Sequence, residues 1–185
     1  MKKNRVIAIW GRCGIDLAES REDETMPEEG WESIGKLKFK STTLETTDGE
    51  KLTLQESGGG ECDMMETEGG YVIKTTVIEP TKLYKTLGLT DDDFDEEDEM
   101  GVKTHVVEKT FATRLTPQRT GGIGIKAPLC HIKFSPSGSE EEGGQAALEI
   151  TLLKPDDGPW YKRFRKKAPA AQIVRPAPEL PKEQE

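Results

Sequence analysis

Residues 41–56, Ser-Thr-Thr-Leu-Glu-Thr-Thr-Asp-Gly-Glu-Lys-Leu-Thr-Leu-Gln-Glu, constrain the fold of this chain more than any other stretch. Thr-rich flanks, period-two alternation and an Asp48-Gly49 pair suited to positive φ are the chemistry of a β-hairpin. Leu44, Leu52 and Leu54 are its apolar side chains, so much of the ribbon has little to bury. An isolated two-stranded ribbon is marginal in water, because no apolar face offsets the entropy lost on ordering it. Such a hairpin is expected to be held by something outside itself, and another copy of the same chain is the simplest candidate.

The totals agree with one modest core. The chain has 185 residues, of which 33% are apolar and 33% charged, enough for one domain with a tail. A formal charge of −9 disfavours wrapping nucleic acid or lying on an anionic membrane, since both depend on Lys and Arg. The apolar run Val6–Trp10 stops at Gly11-Arg12, short of the ~7–15 residues of a signal-peptide core. No stretch approaches the ~20 apolar residues of a membrane span. Cys13, Cys62 and Cys130 are odd in number and far apart, which suits free thiols in a reducing compartment. The expectation is a chain made in the cytoplasm that binds no membrane.

Alternation predicts about eight strands. Val6–Trp10 and Ile15–Ala18 flank Gly11-Arg12-Cys13-Gly14, and an acidic loop leads to a strand from Trp31 to Phe39 with Leu37 and Phe39 as its core residues. The hairpin at 41–56 ends at Gly58-Gly59-Gly60, and Tyr71–Glu79 reads as the next strand. Thr81–Gly88 carries the helix signal: Thr81 to cap, Leu83, Tyr84 and Leu87 on one face, and Gly88 to stop it. Asp91–Glu99 is a solvated run of one sign. Val102–Leu115 alternates as one long strand, and Ile123–Ile125, Leu129–Phe134, Ala146–Leu153 and Trp160–Phe164 follow, with Ser135–Gly144 as a hairpin loop. Residues 1–167 therefore read as one mainly β domain, a β-sandwich or barrel with one short flanking α-helix and a long protruding β-hairpin. The Pro-, Ala- and Glu-rich residues 168–185 read as an extended flexible tail.

No constellation of catalytic residues stands out. Gly122-Ile-Gly124-Ile-Lys-Ala127 matches a dinucleotide fingerprint in form, but Pro128 and a strand-like segment follow where a helix is required. Cys130 and His131 are neighbours on a strand and point to opposite faces, so they read as a buried thiol and a surface imidazole. The acidic run 91–99 lacks the glycine and glutamate positions of a calcium loop. There is no G-x-S-x-G elbow, and two histidines leave few general bases. We expect no catalytic residue, no metal and no cofactor. The basic cluster Lys162-Arg-Phe-Arg-Lys-Lys167 reads as a solvated strand end, a localisation signal, a nucleic-acid patch or a partner for an acidic surface, and the acidic loops of this chain make the last physically attractive. Arg163, Arg165 and Lys166 on one copy facing Asp91, Asp92, Asp93, Asp95 and Glu96 on another would attract copies head to tail.

The order of features resembles the tail tube proteins of tailed bacteriophages, relatives of the tubes of contractile injection systems. The matching elements are Trp10-Gly11, Cys13-Gly-Ile-Asp-Leu17, Trp31-Glu-Ser-Ile34, the Asp48-Gly49 hairpin and the Gly58–Gly60 and Gly69-Gly70 turns. The helix at 81–88, Phe111-Ala-Thr-Arg-Leu-Thr-Pro-Gln118, Gly121-Gly-Ile-Gly-Ile125 and Leu152-Leu-Lys-Pro155 complete the pattern, which covers about residues 5–165. The acidic run and the Pro-rich tail depart from it and suit a head–tail connector or tail-terminator protein, a binding module rather than a tube. The resemblance implies a structural virion protein forming homohexameric rings that stack into a conduit. Its partners would be copies of itself and other tail or neck proteins, with DNA only as passing cargo. It also implies that Thr42, Thr43, Glu45, Thr46, Thr47, Asp48, Gly49 and Lys51 lie at a channel wall or ring contact.

Overall fold

A computed structural model describes residues 11–49, 51–55, 61–66, 69–90, 100–141 and 143–167, with the backbone alone at 51–55 and 61–66. The expected strand Val6–Trp10, the acidic run 91–99 and the tail 168–185 lie outside these residues. In chain order the strands are β1 (Cys13–Glu19), β2 (Glu32–Ser33), β3 (Lys36–Leu37), β4 (Thr43–Thr46), β5 (Lys51–Gln55), β6 (Glu61–Glu66) and β7 (Tyr71–Ile78). Helix α1 (Thr81–Thr86) follows, then β8 (Phe111–Pro117), β9 (Ile123–Ser139), β10 (Gly143–Leu152) and β11 (Lys162–Arg165). The chain is mainly β.

Nine strands form one antiparallel sheet along the path β2-β1-β8-β9-β10-β7-β3, with β11 added to β9 and β4 added to β7. The two ends of that path are one stretch of chain. Ser33 pairs with Asp16 of β1, and four residues later Leu37 pairs with Val77 of β7. Between them Gly35 turns at φ 101°, and the Ile34 N–H donates to the Ile15 carbonyl at 3.1 Å. A single extended segment therefore touches both extremes of the path and curls the sheet into a half-barrel. Ile34, only 1% exposed, fills the inside of that bend. The uninterrupted strand expected from Trp31 to Phe39 is corrected accordingly: its inward residue is Ile34, Leu37 is half-buried, and Phe39 is 68% exposed.

Apolar alternation builds the core on the concave side. Ile73, Ile150 and Ile132 stand side by side on β7, β10 and β9 with no exposure, and Leu148 lies opposite Phe134 on the next rung. Leu83 of α1 and Leu87 just after its end are buried in the same cluster, and Tyr84 meets Phe134 edge-on at 5.0 Å. The helix starts from Pro80, not from the predicted Thr81 cap, and makes no side-chain cap bond. Proline is suited to that place because it has no N–H to leave unpaired.

Two strand boundaries differ from the sequence reading. The strand expected from Val102 begins at Phe111, where its ladder with β1 ends at Glu19 and its pairing with β9 ends at Cys130. Ser20 closes that ladder, its N–H and Oγ both reaching the Thr110 carbonyl, while Val102 and Val106 remain 54% exposed. Conversely, the two strands expected at 123–125 and 129–134 are one. β9 runs through Pro128 because the register against β8 slips by one residue there, placing the proline in a bulge that needs no ladder hydrogen bond. It continues to Ser139, which shortens the loop expected at 135–144.

Candidate assembly surfaces

The hairpin at 41–56 is not formed. β4 pairs with β7, Thr43 opposite Lys74 and Thr46 opposite Tyr71, whereas β5 pairs with β6. Asp48-Gly49 thus lies between strands of two different sheets, and among the described residues β4 and β5 share no ladder. The reason is burial. Leu44 packs against the core beside Ile73, burial that an isolated two-stranded ribbon could not supply. A separate two-stranded sheet, β5 with β6, therefore takes the place of the predicted ribbon, one strand later in the chain.

Several of the residues expected at a channel wall are tied within the chain. Thr42 Oγ1 lies 3.0 Å from Thr75 Oγ1, and Thr47 exchanges two bonds with Gly70, N–H to carbonyl at 2.9 Å and Oγ1 from N–H at 2.8 Å. Lys74 Nζ donates to Glu45 Oε2 at 2.7 Å, and Thr43 Oγ1 donates to the other oxygen. The Lys74 bond, with that from Thr43, holds the Glu45 carboxyl below its ordinary range, and the same bond raises the Lys74 ammonium. Thr43, Glu45, Thr46, Thr47 and Asp48 are exposed, and Gly49 is half-buried. Lys51 lies opposite Glu66 in the separate ribbon. Asp91, Asp92, Asp93, Asp95 and Glu96 lie outside the described residues.

The basic cluster is split by strand geometry. β11 lies on the edge of β9 with Phe164 opposite Gly124, so Arg163 and Arg165 point to one face and Phe164 and Lys166 to the other. A Cβ on Gly124 would lie 2.6 Å from the Phe164 ring and 2.4 Å from the Leu115 carbonyl oxygen, so the absence of a side chain makes room for the phenyl ring over Gly124. The fingerprint-like Gly122–Ala127 is thus a strand shaped for an aromatic neighbour. Lys166 is anchored by Nζ to the Gln118 carbonyl at 3.1 Å and by its backbone to Gly121 and Gly122.

One further surface feature was not expected from the sequence. A groove of about 1220 Å³ runs between the start of β1, the 35–42 stretch and the ends of β8 and β11. Arg12, Lys36, Lys38, Lys40, Arg114 and Lys166 line it, and the one carboxylate among its described lining residues is Asp16. Arg114 holds that carboxylate with two bonds, Nε at 3.1 Å and Nη2 at 3.0 Å, while its guanidinium stacks 4.6 Å from the Trp31 ring. Phe39 stands in the groove with the Arg12 guanidinium 5.9 Å and the Lys40 ammonium 5.3 Å from its ring centre. Cys13 also lines it, but burial raises its thiol pKa, opposed by a hydrogen bond with Thr42, so it is a poor nucleophile. Period-two Lys36, Lys38 and Lys40 were the available signal. The other cations come from three distant stretches, which only folding collects.

Among the described residues no group of three His, Cys, Asp or Glu side chains is placed to hold a metal ion. No protein-family model matches the chain, and no curated protein matches it closely enough in sequence to be a relative.

Proposed function

We propose that this chain is the structural subunit of a phage tail tube, assembling into hexameric rings that stack into a conduit for DNA. The observation that carries the reading is the β5–β6 ribbon. Among the described residues it hydrogen-bonds to no strand of the nine-stranded sheet, so the outer edges of both its strands are open. A two-stranded sheet is marginal alone, and open edges are templates for another chain. Pairing across a closed ring removes both problems at once. The half-barrel sheet supports the same reading, since sheets of neighbouring copies would complete one another into a continuous barrel. The order of sequence features, which resembles that of tail tube proteins, adds to it, and the net charge of −9 suits a wall that repels phosphate.

Electron microscopy of the purified full chain tests the proposal. Stacked rings or tubes support it, whereas lone rings or monomers favour a head–tail connector or tail terminator. A chain in which 52–65 are replaced by a short Gly-Ser linker should keep the near-ultraviolet circular dichroism and cooperative unfolding of the parent and lose stacking. Normal stacking by that variant would remove the ribbon from the interface.

A further inference from the structure

The basic groove lies in an acidic protein, and the sequence contains a segment of matching opposite charge. We infer that the groove between β1, the 35–42 stretch and β11 is the docking site for the acidic segment Asp91–Glu99 of a second copy of this chain. The inference rests on the self-assembly reading for the presence of that second copy.

Three observations converge. Six cations face the groove against one carboxylate, and that carboxylate is already held by Arg114. At about 1220 Å³ the groove exceeds the roughly 300–1,000 Å³ of small-ligand pockets and suits a length of peptide. Its floor offers an apolar anchor as well as charge, because Phe39 is 68% exposed between Arg12 and Lys40. Asp91–Glu99 has the complementary composition, eight carboxylates around the single aromatic Phe94. The two other long segments outside the described residues fit poorly. Residues 1–10 carry Lys2, Lys3 and Arg5 and no acid, and 168–185 are nearly neutral. Chains that each bear a net charge of −9 repel on average, so a local pairing of opposite patches would orient their approach as well as hold it. Of the sequence-predicted cluster this assigns Lys166 to the interface, while Arg163 and Arg165 are turned away from the groove.

Zero-length carbodiimide cross-linking of the full chain at low ionic strength tests this, because it joins a lysine to a carboxylate only when the two are in contact. The expected result is a covalent dimer on a denaturing gel, in which mass spectrometry maps Lys36, Lys40 or Lys166 to residues 91–99. Its yield should fall at least tenfold in Lys36→Glu/Lys40→Glu and in 0.5 M salt, and stay unchanged in Arg163→Glu/Arg165→Glu. Both double variants should melt at the parental temperature, since the four side chains are exposed. Reversing Asp92 and Asp93 to Lys in the Lys36→Glu/Lys40→Glu background should restore the dimer. Mapped links confined to the monomer band would place the acidic segment in its own groove and overturn the inference. So would the absence of such links, or tight binding of a DNA oligonucleotide that Lys36→Glu/Lys40→Glu abolishes. Microscopy separates the two readings: tubes without these links sink the docking site alone, and linked dimers without rings sink the tube alone.

Discussion

β10 and the stretch 41–56 alternate with the same period and end in different kinds of structure. In β10 every second residue from Ala146 to Leu152 is buried, and the strand pairs on both sides, with β7 and with β9. In 41–56 the alternating residues are mostly Thr, Glu and Lys, and its two halves separate onto different sheets. Period two fixes which residues share a face, but only a buried face fixes which strand lies opposite. A turn sequence such as Asp48-Gly49 supplies a reversal and too little free energy to hold two polar strands together when one of them can cover Ile73 instead.

The largest effect should come from the buried side of this comparison. Ile150 has no exposure and lies between Ile73 and Ile132, so Ile150→Ala should cost about 2–5 kcal/mol in urea unfolding. A loss under about 1 kcal/mol would mean that the β7–β10–β9 rung is not the packed centre. Gly124→Ala comes next. The added methyl would meet the Leu115 carbonyl and the Phe164 ring, and about 1–3 kcal/mol should be lost. Phe164→Ala in the same chain should restore part of it, since only the ring contact is relieved. A neutral Gly124→Ala would show that β11 does not lie on β9 as described.

Titration gives a third measure. Burial raises the Cys130 thiol well above its ordinary value, while its Sγ–H donates to the Phe111 carbonyl. The folded pKa exceeds the unfolded one, so the contribution is complete below the unfolded value of about 8.5 and is lost as pH rises above it. Between pH 7.5 and 9.5 the parent should lose about 1.4 kcal/mol more than Cys130→Ala. Equal slopes for the two proteins would mean that the thiol ionises freely and β9 is open there.

What could be read from the sequence follows the same division. β1, β7, β10 and the helix face Leu83–Leu87 were legible because their apolar periodicity is strong, and the opposed faces of Cys130 and His131 followed from strand geometry alone. The bulge at Pro128 and the start of β8 at Phe111 were not, because each is decided by a partner strand distant in sequence. The same holds for the candidate site. Lys36, Lys38 and Lys40 were visible as a pattern, but that Arg12, Arg114 and Lys166 share their groove depends on β1, β8 and β11 meeting, which no local signal encodes.

The smallest effects test whether the polar strand β4 is held by its charges or by its one apolar side chain. Glu45 and Lys74 form the short ion pair across β4 and β7, yet both are open to water, where such pairs contribute little. The depressed Glu45 pKa has a definite sign: any stability it brings is present above its unfolded value near 4.3 and is lost as pH falls through the folded one. Solvent screening leaves that term too small to move a midpoint, so Glu45→Gln should unfold with the parent at pH 7. Leu44 is half-buried against the core, and Leu44→Ala should cost about 1 kcal/mol by lost burial. The order of the two is the test. If Glu45→Gln were the more damaging, charge pairing rather than burial would have drawn β4 from the predicted hairpin onto β7. The explanation given for the separation of 41–56 would then be wrong, even with every strand where it is described.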